Sequence, residues 1–149
     1  MKGFPDLPPL WLAGFCALAW VIAKVLPLIT LPGSVGLASG VALMLGGFGL
    51  VGWSAMWFLR KKTSIEPHHK PQSLIIEGPY RLSRNPIYLA MLMILVGWVF
   101  YLGALLPFVL PFIFAHILTT RFVLPEEAAL REAFGAEAEQ YMDATRRWL

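Results

Sequence analysis

Apolar positions run in long unbroken blocks along this chain, with no alternation that would suggest half-buried strands. Residues 10–31 and 35–59 each exceed the roughly 18 apolar residues that mark a membrane-crossing helix, and only Lys24 interrupts the first. A polar stretch, 60–85, follows. The next apolar block, 86–124, is too long for one span at about 1.5 Å per residue, which predicts a helical hairpin. Its turn falls at Tyr101-Leu102-Gly103, and Pro107 and Pro111 sit early in the returning helix, where proline costs least or produces a kink. Residues 125–149 space Leu130, Phe134, Tyr141 and Trp148 among Glu, Ala and Arg, the pattern of an amphipathic helix broken near Gly135. The expected fold is therefore all-α and polytopic. It forms one membrane domain, 1–149, with four transmembrane helices at about 10–31, 35–59, 86–102 and 104–124, a polar loop at 60–85 and C-terminal helices at 125–149.

Composition agrees: 58% of residues are hydrophobic and 14% charged, a surface that water would not tolerate. Lys2 and Ala17-Leu18-Ala19 imitate a cleaved leader. However, apolar character continues past that point and Asp6 with several prolines precedes it, so the first helix is expected to remain. Cys16 is the single cysteine, which leaves no intrachain disulfide. The net charge of +3 lies beside membrane segments, so acidic lipid headgroups are the expected counterpart and nucleic acid is not. Six of the basic residues lie between positions 60 and 84 and four from Arg121 onward, while the turns near 30–34 and Gly103 carry none. The positive-inside rule then puts both termini and the 60–85 loop in the cytoplasm, in a bacterial inner membrane if the chain is of that origin. All nine acidic residues share that side, and so must any polar chemistry. Oligomeric state has no signal here.

Several conspicuous residues have structural explanations. Gly36, Gly40 and Gly47 give the second helix a smooth face for close packing. Trp11, Trp53, Trp57, Trp98 and Tyr101 fall near the expected interfaces, Lys24 has the reach to snorkel, and His116 suits an interhelical hydrogen bond. His68 and His69 have no third ligand at a credible spacing, so no metal is expected.

Polar chemistry is concentrated in three pieces: residues 63–74, then Gly78-Pro79-Tyr80-Arg81-Leu82-Ser83-Arg84-Asn85-Pro86-Ile87-Tyr88, then Pro125-Glu126-Glu127 with Phe134-Gly135 beyond. Gly78-Pro79 signals a turn, and Pro86 stands where a helix start accepts proline. A carboxylate such as Glu126 can hold an ammonium or ribose hydroxyls, Tyr80 or Tyr88 can pack on a base, and an arginine can clasp a carboxylate. Glu126 and Glu127 also suit the first turn of a helix, and Arg81 and Arg84 suit membrane-rim anchors.

With Gly-Pro-Tyr-Arg, Arg-Asn-Pro-x-Tyr, the Glu-Glu pair, Phe-Gly and the closing Arg-Arg-Trp in this order, residues 63–149 resemble the isoprenylcysteine carboxyl methyltransferase family. They resemble more distantly the phospholipid methyltransferases that share its C-terminal half. The resemblance implies an S-adenosyl-L-methionine pocket on the cytoplasmic side, lined by Gln72, Ser73, Leu74, Ile75, Tyr80, Asn85, Pro86, Ile87, Tyr88 and Glu126. Family members with protein substrates commonly have His where Asn85 stands, which removes proton transfer but keeps hydrogen bonding. The family's substrate-side arginine lies four residues before the paired glutamates, at Phe122 here; Arg121, one residue earlier, is the candidate to hold the acceptor's acidic group. The implied acceptor is lipid-like or prenylated and reaches the site through the bilayer. Without an evident base, a carboxylate acceptor giving a methyl ester fits better than an amine, which must lose a proton. Phospholipid amine methylation, nicotinamide-dependent reduction of the sterol-reductase type and a non-catalytic scaffold are the alternatives.

Overall fold

A computed structural model describes residues 6–26, 33–61 and 73–149. Helix α1, Pro8–Val25, opens on two prolines whose missing N–H groups cost nothing in a first turn. Asp6 pins that start by accepting a 2.8 Å hydrogen bond from Trp11 Nε1. The helix ends earlier than the apolar run, which predicted residues 10–31. Pro27 follows Leu26 and disfavours helical backbone there, and Leu26 adopts φ −127° and ψ 66°. Lys24 is exposed in the last turn of α1. Helix α2, Gly33–Lys61, begins before and ends beyond the expected 35–59.

A 3-10 turn, Gly78–Arg81, leads to α3, Pro86–Leu102, which starts at the expected proline. Gly103 closes α3 with φ 66°, a left-handed conformation that glycine adopts without strain, and this is the anticipated hairpin turn. The returning chain passes through a 3-10 turn, Leu106–Phe108, into α4, Val109–Leu118. A break was expected at residue 124. Instead α4 continues through a π-helical turn, Thr119–Val123, into α5, Leu124–Phe134. Pro125 has no N–H to give the Arg121 carbonyl, and its ring would strike that carbonyl in a regular helix. The wider turn, in which Leu124 N–H bonds Thr119 O, accommodates it and keeps the helix continuous. Gly135, at φ 52° and ψ −123°, then separates α5 from α6, Ala136–Ala144, as its position in the sequence suggested.

Among the described residues, three helices have the length and apolarity of a membrane span: Pro8–Val25, Gly33–Lys61 and Leu106–Phe134. Of the four expected spans, Pro86–Leu102 is present as a shorter apolar helix. It is nevertheless the centre of the bundle. Tyr88, Met91, Leu95 and Val99 of α3 pack with Phe15 and Ala19 of α1 and with Leu110, Phe114, Leu118, Phe122 and Val123 of the returning helix. Phe15 and Phe114 meet with ring centroids 5.1 Å apart. Trp98 donates to Cys16 O at 3.0 Å, so this tryptophan ties α3 to α1 besides stacking on Tyr101. His116 is exposed on α4, and its carbonyl accepts the Thr120 hydroxyl; among the described residues its ring makes no interhelical hydrogen bond.

The α2–α3 contact depends on absent side chains. A Cβ on Gly40 would lie 2.6 Å from the Gly97 carbonyl and the Tyr101 nitrogen, and one on Gly47 would lie 2.8 Å from the Ala90 carbonyl. Backbone cannot retreat from such contacts as a flexible side chain can, which confirms the packing role expected of these glycines. Gly40→Leu is therefore predicted to destabilise the bundle by at least ~1–3 kcal/mol. Gly49→Ala, where a Cβ meets nothing within 4 Å, should be neutral or slightly stabilising in the same thermal unfolding series in detergent.

Candidate active site

The segment before α3 is folded back against the end of α2 by a glycine. Gly78 has φ 59°, and a Cβ there would fall 1.9 Å from Trp57 Nε1, so the Trp57 ring lies directly on its backbone. Lys61, the last residue of α2, donates to Glu77 at 2.6 Å, a bond that holds the Glu77 carboxyl below its ordinary range. The turn thus delivers Tyr80 inward. Its ring meets Phe58 edge-on at 5.8 Å and packs with Leu74, Ile75, Trp57 and Tyr141. Tyr141 of α6 donates its hydroxyl to the Tyr80 carbonyl at 2.8 Å, holding the turn from the other side.

Tyr88, one turn into α3, donates to Glu126 Oε1 at 2.5 Å. Burial raises the Tyr80 phenol well above its ordinary range, and coupling to the neighbouring Tyr141 phenol and the Glu126 carboxylate adds to this, so Tyr80 lies within electrostatic reach of the same carboxylate. Tyr80, Tyr88 and Glu126 are thereby brought together from the 3-10 turn, α3 and α5.

The two adjacent glutamates have opposite surroundings. Glu127 is 3% exposed and sits between cations: Arg147 donates from Nε and Nη2 to its two oxygens at 2.9 and 2.8 Å, and Arg84 Nη2 lies 3.3 Å away. Glu126 has a neutral phenol as partner, and among the described residues no cation pairs with it. A half-buried carboxylate without a counterion suits a ligand that carries its own positive charge.

The other expected residues divide between site and scaffold. Gln72 lies outside the described residues. Among the described residues Ser73 Oγ is buried without a hydrogen-bond partner, a donor and acceptor open to a ligand. Ile75 is buried and Leu74 half-buried in the apolar wall under Tyr80. Pro86 is buried at the head of α3, and Ile87 packs on the core. Asn85 is engaged elsewhere: its Nδ2 donates to Arg147 O at 3.1 Å, and its own N–H goes to Ser83 Oγ at 3.1 Å. Arg121 is turned toward α1, 3.0 Å from Asp6 Oδ2 and with its guanidinium 5.2 Å from the centre of the Trp11 ring. The adjacent Phe122 is buried against Tyr88, with ring centroids 6.1 Å apart.

Comparison with protein families matches residues 35–137 to the phospholipid methyltransferase family, well over half of the chain. The chain belongs to that family. It stands within the isoprenylcysteine/phospholipid methyltransferase superfamily that the ordered motifs indicated. The match reaches back through α2, where the sequence offered only apolar character, and stops before Arg146-Arg147-Trp148. Searches of curated proteins and of solved structures returned no match. In this phospholipid methyltransferase family member, Tyr141 was read from the sequence only as an apolar helix position and Arg147 only as part of the closing Arg-Arg-Trp motif, with no site role for either. Tyr141→Phe should strand the Tyr80 carbonyl and lower stability by about 1–2 kcal/mol, measured by thermal unfolding in detergent.

Proposed function

We propose that this integral membrane protein transfers a methyl group from S-adenosylmethionine to a lipid-like acceptor that approaches through the bilayer. The observation that carries the reading is the Tyr88–Glu126 pair near Tyr80, a carboxylate with no cation paired to it among the described residues, on a rim of aromatic rings. When bound, S-adenosylmethionine supplies an electrophilic methyl on a sulfonium. The carbon–sulfur bond breaks as the acceptor's bond to that carbon forms, and the sulfur keeps the electron pair. Such a displacement depends chiefly on alignment and a dry pocket, and an amine acceptor attacks through its lone pair after giving its ammonium proton to water at the polar rim.

The chain's residues fit that donor. Glu126 holds its ammonium, with the Tyr88 hydroxyl fixing the carboxylate's direction. The Tyr80 ring, buried on Ile75 and Phe58, walls the adenine side, and Ser73 Oγ provides an unused polar contact. The backbone of Leu74 and Ile75 continues the same wall, Asn85, Pro86 and Ile87 shape the floor at the head of α3, and Gln72 is assigned to the pocket by the family resemblance alone. By the positive-inside rule the site faces the cytoplasm, and the four-span arrangement has α3 crossing as the short central helix.

Two observations favour an amine over the carboxylate that the residues alone suggested. The family match is to phospholipid methyltransferases, and Arg121, which the carboxylate reading needs for the acceptor's acid, is neutralised by Asp6. The methyltransferase family assignment also sets methyl transfer ahead of nicotinamide-dependent reduction and of a non-catalytic scaffold.

Incubating the protein in nanodiscs with methyl-labelled S-adenosylmethionine and extracted lipids should move label into the lipid fraction. Alkali-stable label marks an N-methylated headgroup, and alkali-labile label marks a methyl ester. No transfer to any lipid class by protein that remains folded would overturn the reading. Tyr88→Phe should lower kcat/KM for the donor by roughly tenfold, because it removes a hydrogen bond to a charged group.

A further inference from the structure

Arg147 makes polar contacts in two directions. Its backbone carbonyl accepts from Ser83 Oγ at 3.2 Å and from Asn85 Nδ2 at 3.1 Å, both in the segment that leads into α3. Its guanidinium donates to both oxygens of Glu127 on α5. One residue near the C-terminus therefore joins the segment that presents Tyr80 and Tyr88 to the helix that presents Glu126. Two neighbouring bonds run along the same seam, Arg84 N–H to Arg146 O at 3.0 Å and Arg84 Nη1 to Met142 O at 3.1 Å.

The consequence follows from helix geometry. Adjacent residues on a helix point about 100° apart, so fixing the direction of Glu127 also fixes that of Glu126. The fork of two parallel hydrogen bonds constrains angle as well as distance, which a single charge contact does not. Glu127 is buried while the Arg147 side chain is 37% exposed, so solvent reaches one side of the pair and the fork geometry, more than shielding, sets its constraint. Arg147 also lies beyond residue 137, where the family match ends.

We propose that Arg147 is a positioning residue for the methyl-donor site, bridging the loop ahead of α3 to α5 so that Glu126 is held opposite Tyr88. It acts on the donor without touching it. The inference rests on the proposed function for the identity of the donor, but the bridge itself has a readout that does not.

The test uses the full chain in lipid nanodiscs, titrated with S-adenosylmethionine, with hydrogen exchange followed in residues 73–85 and in α5. Arg147→Ala should raise the donor Kd about tenfold or more while the acceptor KM changes less than about twofold. Arg147→Lys, which keeps charge but loses the fork, should recover part of that loss. Ser83→Ala loosens the other arm, so combining it with Arg147→Ala should cost less than the product of the two single effects. Exchange should quicken in both segments together in Arg147→Ala. An unchanged Kd, or faster exchange confined to residues 145–149, would overturn the proposal. If Arg147→Ala fails to fold, Arg147→Lys and Ser83→Ala decide the matter by the same readouts. If the unaltered protein binds no S-adenosylmethionine, the functional reading fails, and the exchange data alone still accept or reject the bridge.

Discussion

Charge in a dry setting must be matched, and at the start of α5 that constraint is met for one glutamate and left open for its neighbour. Glu127 is enclosed by Arg147 and Arg84, so its burial is compensated within the chain. Glu126 is given a phenol and no cation among the described residues. On the proposed reading the asymmetry divides the labour of a paired motif: one carboxylate holds the architecture, and the other is directed at the ligand. Much of the surrounding structure serves this arrangement. Trp57 and Tyr141 hold the turn that carries Tyr80, and the π-turn before Pro125 lets the returning helix continue unbroken to the two glutamates.

The bundle beneath supplies a rigid floor. Glycines on α2 and α3 bring two backbones into direct contact, and α3 is covered on its other side by α1 and the returning helix. A short apolar helix at the centre, with polar groups at its head, places the reacting region at the edge of the apolar bundle. That is where a polar donor from water and an apolar acceptor from the bilayer can meet.

Local chemistry was legible in the sequence. Pro86 as a helix start, Gly103 as a turn, Gly135 as a break and the packing glycines all act through their own backbone, so their effect is visible in the string of residues. Tyr80, Tyr88 and Glu126 were legible because the motifs place them in order. What escaped notice depends on partners distant in sequence. Arg147 reaches Asn85 across 62 positions, and nothing near a terminal arginine announces that. Arg121 is claimed by Asp6, which belongs to a helix start at the other end of the chain. The boundary drawn between 104–124 and 125–149 falls inside a continuous helix, because a wider turn accommodates Pro125 where a regular helix cannot. Pro27 ended α1 inside an apolar run whose hydropathy gave no sign of a boundary.

The central claim is that Glu126 is the counterion of a cationic methyl donor. Direct titration of the purified protein in nanodiscs with S-adenosylmethionine, and separately with NADPH, tests it most plainly when repeated on Glu126→Ala. The account predicts binding of S-adenosylmethionine, no binding of NADPH, and a loss of at least ~1.5 kcal/mol in donor affinity in the variant. Undiminished affinity in a folded Glu126→Ala protein, or binding of NADPH in place of the sulfonium, would contradict it.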